Sequence, residues 1–147
     1  MAHEATVRTV GVSESEGVPV VVLAAREEVV PILVSPDQAH SIRLALQAES
    51  FERPLTHDLI VEMAAEFGGA IDRVRIDELR DGTFLAKLDA EQYHGGERRT
   101  AVFDVRASDG IAVALRVDCP IEVSDAVLDD AGRPPDRIDI RQFEEFD

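Results

Sequence analysis

The sequence predicts an α+β fold: duplicated strand-strand-helix units, with mixed or antiparallel sheets covered by about three helices. Three observations lead there. Several stretches alternate apolar and polar residues with a period of two, as half-buried strands do. Others, opening near Pro36, His57 and Ser108, switch to the spacing of an amphipathic helix. Finally, HSIRLAL at 40–46 is matched by DGIAVAL at 109–115, each following a pair of strand-like runs, which is the pattern of an internal repeat.

In chain order, residues 7–12 alternate as a strand and SESEG makes an acidic turn. PVVVLAA (19–25) and VVPILV (29–34), separated by Arg26, Glu27 and Glu28, form a hairpin. Ser35-Pro36-Asp37-Gln38 is a capping box with proline at the first helical position, and Ala39, Ile42, Ala45, Leu46 and Glu49 continue that helix. A second helix runs from about His57 to Phe67, with Thr56 as N-cap and Leu59, Ile60, Met63, Ala64 and Phe67 as the stripe that covers a sheet. Gly68-Gly69 stops it. Val74 and Ile76, then Phe84, Ala86, Leu88 and Ala90, alternate on either side of an Asp81-Gly82 turn as a second hairpin. QYHGGERR reads as a polar connection to a strand carrying Ala101, Phe103 and Val105. A third helix starts near Ser108, carries Ile111, Ala112 and Leu115, and ends before Cys119-Pro120, ahead of a short strand over 121–123.

With 147 residues, one domain over 1–128 is expected, followed by a C-terminal arm over 129–147. The arm holds Gly132, Pro134 and Pro135, and its Ile140, Phe143 and Phe146 suggest a segment that docks on the domain or a neighbouring subunit. Hydrophobic residues make up 45% of the chain and aromatics 5%, so the core is aliphatic, and the weakly aromatic core with its apolar arm points to a homo-oligomer. No unbroken apolar segment is long enough for a membrane span, and MAHEATVRTV is unlike a signal peptide. A cytoplasmic location is the resulting expectation. Cys119 has no second cysteine to pair with and is expected to be a buried, inert thiol. The formal net charge is -15, from 30 acids and 15 bases with Lys87 the sole lysine, a balance typical of proteins kept soluble in strong salt. At ordinary salt such a charge opposes binding of nucleic acid, and in molar salt that opposition is screened.

Chemistry concentrates at two helix mouths. RPLTHDL at 53–59 brings Arg53, His57 and Asp58 to one, and Arg106, Ser108 and Asp109 stand at the other. If the two halves pack face to face, these side chains share a polar cleft that suits a phosphodiester: Arg53 and Arg106 to bind it, and His57, Asp58, Ser108 and Asp109 to act on it. A divalent ion, magnesium or manganese, is a candidate cofactor for such a set, with its ligands unassigned. The same groups also suit a structural role, with Arg106 and Asp109 pairing to Asp58 and Arg53 in an ionic lattice that fixes the helix starts. His40, on a helix flank, and His94, beside Gly95-Gly96, are better read as solvated or capping histidines than as metal ligands.

RPLTHDL at 53–59, DGTFLAKL at 81–88, and FDVRASDGIAVAL at 103–115 followed by CPIEV, in this order and spacing, resemble the bifunctional nuclease domain family, so named for activity on both DNA and RNA. The resemblance covers roughly residues 5–128. It implies an α+β fold built from the repeated unit, frequent oligomeric assembly and nuclease activity. This chain departs from the family pattern at Gln38, Leu85, Ala107 and Gly110, where the family usually has glutamate, tyrosine, proline and alanine.

Two function classes follow. One is a phosphodiesterase acting on DNA or RNA through His57, Asp58, Ser108 and Asp109, with Arg53 and Arg106 binding substrate. The other is a non-catalytic binding or assembly module in which those residues form a structural ionic network. The absence of HExxH, Walker, CxxC and GxSxG patterns removes support for zinc protease, nucleotide hydrolase, zinc ribbon and α/β-hydrolase readings.

Overall fold

A computed structural model describes residues 1–48 and 53–137, together with the short strand Arg141–Gln142. The elements run β1 (Ala2–Val12), β2 (Pro19–Ala25), β3 (Glu28–Leu33), α1 (Pro36–Leu46), α2 (Thr56–Glu66), β4 (Gly69–Arg80), β5 (Thr83–His94), β6 (Glu97–Arg106), α3 (Ala107–Val117), β7 (Ile121–Ser124), α4 (Asp125–Ala131) and β8 (Arg141–Gln142). The strands lie in the order β3-β2-β1-β7-β4-β5-β6, with β8 adding to β1. Only the β4–β7 pairing among these is parallel, so the sheet is mixed and the fold is α+β, as the periods require.

The repeat is visible in that order. A three-stranded meander followed by α1 occupies one side of β7, and a second meander followed by α3 occupies the other. Each unit therefore holds one more strand than the strand-strand-helix expected. QYHGGERR, read as a connection, instead ends β5, turns through Gly95 and Gly96, and begins β6. Its residues project into solvent, so the strand there carries no apolar alternation to reveal it.

Local chemistry sets the helix ends. At α1 the capping box forms: Ser35 Oγ accepts from the Gln38 amide at 3.2 Å and Gln38 Oε1 accepts from the Ser35 amide at 3.0 Å. At α2 the N-cap is Leu55 rather than Thr56, because Asp58 reaches back to accept from the Leu55 amide at 2.9 Å. At its far end Gly68 takes φ +80°, and a Cβ there would lie 2.8 Å from the Tyr93 carbonyl oxygen, so glycine is required by contact as well as by conformation. Ser124 caps α4, a helix that its shortness hid in the sequence.

α1 and α3 pack against each other over the sheet, enclosing Ile42, Ile111, Val21, Leu23, Val74, Ile76 and Val123 in an aliphatic core. α2 behaves differently from its periodicity. Leu59, Ile60, Met63 and Phe67 are 46%, 43%, 49% and 69% exposed, while His57 and, in part, Val61 turn inward. The stripe expected to cover the sheet therefore faces solvent, because the polar side of the helix is recruited by partners on α1 and α3. Val102 and Phe103, neighbours on opposite faces of β6, are likewise exposed. Ile140, Phe143 and Phe146 of the arm, and Glu49, lie outside the described residues. Among the described residues no helix is long and apolar enough to cross a membrane.

Candidate functional site

The starts of α2 and α3 and the middle of α1 meet in one hydrogen-bonded chain. His57, buried on the first turn of α2, sets Nε2 2.9 Å from Asp109 Oδ1 and Nδ1 2.6 Å from Ser41 Oγ on α1. The other Asp109 oxygen accepts from Arg106 Nε at 2.7 Å, three residues back at the N-cap of α3. Arg116, near the C-terminus of α3, donates from Nε to Asp58 Oδ1 at 2.6 Å and from its terminal groups to Ser41 Oγ, the Ser41 carbonyl and the Ala112 carbonyl at 3.0, 3.2 and 2.8 Å. Ser41 thus joins the two halves of the network.

Proton positions follow from the partners. Burial alone would raise the Asp109 pKa, but hydrogen bonds from Arg106 and His57 prevail and hold it below the ordinary carboxylate range. As a carboxylate, Asp109 only accepts, so His57 donates from Nε2. A neutral imidazole then accepts at Nδ1 from the Ser41 hydroxyl, whose oxygen takes a bond from Arg116. Asp58 is also held below its ordinary range: burial opposes this, while Arg116 and the Leu55 amide outweigh it. The order Ser41-His57-Asp109 has the components of a nucleophilic triad, but Ser41 is 4% exposed and substrate has no access to it. Its role is to fix the imidazole.

A cleft of about 680 Å³ opens beside this chain, with Arg106, Ala107 and Ser108 on its wall. Arg106 belongs to both. Its side chain is 73% exposed, and because Asp109 engages Nε, the terminal amino groups are left for an anion. The first amides of α3 lie at the same end, where the helix dipole favours negative charge. Of the six residues singled out from the sequence, His57, Asp109 and Arg106 are bonded in series, and Ser108 is buried one residue away on the cleft wall. Asp58 joins through Arg116 and Ser41 rather than through Arg106 or Arg53. Arg53 is exposed and none of the network's bonds includes it, so neither expected cross pair is among those bonds: Arg106 engages Asp109 within its own mouth, and Arg116 takes Asp58.

Arg116 and Ser41 were missed. One signal for Arg116 existed: it lies seven residues, two helical turns, after Asp109 and so on the same face of α3. Nothing comparable marked Ser41.

The donor set does not fit a divalent ion. Both Asp109 oxygens and both Asp58 oxygens have partners, and each carboxylate is neutralised by an arginine, so a magnesium or manganese ion would have to displace Arg106 or Arg116. Among the described residues no group of three or more His, Cys, Asp or Glu side chains is placed to hold a metal. Cys119, partly buried, has its pKa pushed up to about 11 by burial, in keeping with an inert thiol.

A family model described as the bifunctional nuclease domain matches residues 20–136. An uncharacterized protein of Mycobacterium tuberculosis is 39% identical over 130 residues, covering 86% of this chain and 75% of that protein. Bifunctional nuclease 1 of Oryza sativa subsp. japonica is 30% identical over 94 residues, 64% of this chain and 28% of its own length. Bifunctional nuclease 2 of the same rice is 28% identical over 115 residues, 76% of this chain and 35% of its own length.

Proposed function

Because the chain belongs to the bifunctional nuclease domain family, we propose that it hydrolyses phosphodiester bonds of DNA or RNA at the mouth of α3. The observation that carries this reading is the Asp109 carboxylate, shared between buried His57 and exposed Arg106 at the wall of the cleft. In it, the terminal amino groups of Arg106 hold a non-bridging phosphate oxygen, aided by the first amides of α3. Asp109, whose side chain is 28% exposed, orients the guanidinium, takes the proton of the attacking water and returns it to the leaving oxygen, while His57, backed by Ser41, holds that carboxylate in place. Asp58 keeps Arg116 and the start of α2 in place.

The test is cleavage of end-labelled RNA and DNA in molar KCl, with and without magnesium or manganese. Arg106→Ala, which removes an exposed side chain, should lower kcat/KM by about tenfold or more, the loss of one charge-assisted contact, while lowering the melting temperature only slightly, as expected for an exposed ion pair. Equal cleavage by wild type and variant would remove Arg106 from the substrate site.

A second reading, an assembly module, is favoured by the apolar face of α2 and by β6, an edge strand with Val102 and Phe103 exposed on opposite faces. Its partner is a second copy of the chain, associating in high salt where the charge of -15 is screened. Light scattering in molar KCl should give a mass above the monomer, reduced by Phe67→Ser with Phe103→Ser. A monomer mass for wild type would overturn it.

A further inference from the structure

The cleft reaches well beyond Arg106, and its far side is built by residues that the catalytic reading leaves unused. α4 ends at Ala131, and Gly132 follows so closely that a Cβ there would lie 2.4 Å from the Leu128 carbonyl oxygen and 2.5 Å from Glu28 Oε2. The next residue, Arg133, exchanges both backbone hydrogen bonds with Val29, each at 2.9 Å, so its backbone is fixed at the cleft wall. Its side chain is exposed, and among the described residues no ion pair engages it. Arg106 and Arg133 therefore both line this cleft, accompanied by the hydroxyls of Thr83 and Ser108.

Part of the remaining wall is apolar, with Leu33, 58% exposed, Pro31, Leu79 and half-buried Phe84, and the rest is polar, with Gln38, Glu16 and Asp130 among it. Cations and hydroxyls beside an aromatic and aliphatic surface match a nucleotide, whose phosphate needs the former and whose base needs the latter. Size narrows the choice. A volume of about 680 Å³ is that of a pocket for one small-molecule-sized group, whereas a duplex presents a major groove about 12 Å wide and keeps its bases stacked inside. Charge agrees with location. Within the lining, Arg106 and Arg133 balance Glu16 and Asp130, which makes the cleft formally neutral on a chain of charge -15.

We infer that the cleft is a binding subsite for unpaired nucleic acid, in which Arg133 holds a phosphate adjacent to the one at Arg106 and an unstacked base lies on Phe84. This rests on the nuclease reading for its ligand class and deepens it by setting strandedness: a single-stranded segment is the substrate, and Arg133 and Phe84 select it.

Binding separates the two claims, because it is read without cleavage. Fluorescence anisotropy with a labelled oligothymidylate of about ten nucleotides, a length within the usual range for such sites, is compared with a duplex of equal length in molar KCl and EDTA. Wild type should bind the single strand at least tenfold more tightly. Arg133→Ala should weaken that binding about fivefold or more, Arg133→Lys less, and Phe84→Leu should weaken binding of the oligonucleotide while leaving an abasic strand of equal charge unaffected. With few phosphates neutralised, log affinity should fall with log salt at a slope shallower than about -2. Equal affinity for duplex and single strand, or unchanged binding in both Arg133→Ala and Phe84→Leu, overturns the inference. Arg133-dependent binding by a protein that cleaves nothing leaves it standing and removes the hydrolysis. Equal cleavage of duplex and single strand does the reverse.

Discussion

Arg116→Met should destabilise the protein by about 2 to 3 kcal/mol, lowering the melting temperature by roughly 5 to 10 °C, although Arg116 touches no part of the cleft. Methionine keeps the packing of the stem but none of the donors. The Ser41 oxygens and the Ala112 carbonyl lose bonds of 2.8 to 3.2 Å in a buried setting, where replacement by water is costly. Asp58 is 42% exposed and regains water, so its share of the loss is small. The same network sets the acid response. Asp58 and Asp109 both have folded pKa values depressed below the ordinary carboxylate value of 3.8, so their stabilisation is present above that value and is lost as pH falls through the folded values. Thermal melts from pH 7 downward should show wild-type stability declining below about pH 4. Arg116→Met should start lower and decline less steeply, because its Asp58 no longer has a cation to lose. A melting temperature within a degree of wild type would show that the arginine bonds add nothing net.

His57→Ala and Asp109→Asn should each reduce nucleic-acid cleavage by about a hundredfold or more, the scale of losing a proton-transfer group or the partner that positions it. The two variants separate chemistry from support. Asp109→Asn preserves shape and can still accept from one neighbour, but it presents an amide to the other, leaving His57 or Arg106 without its acceptor. If His57 and Asp109 serve the reaction, cleavage falls that far while the melting temperature moves by only a few degrees. If they serve only the fold, stability falls and cleavage per folded molecule stays constant. Running both measurements on the same preparations also exposes contamination, since a foreign nuclease ignores both substitutions. Unchanged cleavage in both variants would sink the acid-base assignment.

What the sequence could settle by itself was local. The capping box at Ser35-Gln38, the Asp81-Gly82 turn and the helix stop at Gly68, whose amide donates to the Ala65 carbonyl, involve partners within a few residues, and these bonds are complete over that distance. The repeated helix after two sets of strands was legible for the same reason, and three ordered motifs carried the family. His57, Asp109 and Arg106 were identifiable as a group because helix starts collect such residues. Their bonding was not identifiable, because His57 and Asp109 are 52 residues apart and Asp58 and Arg116 are 58 apart.

Tertiary structure made two decisions that periodicity could not. α2 offers one face with Leu59, Ile60, Met63 and Phe67 and another with His57, Asp58 and Val61; hydrophobicity favours burying the first. The second turns inward because Ser41, Asp109 and Arg116 await it there, and an inward face is fixed by what the neighbouring elements present. The cleft is the other case. Its two arginines are 27 positions apart in sequence, Arg106 ending a strand and Arg133 following a helix, and only the Val29 backbone bonds and the packing of α4 bring them to one cavity.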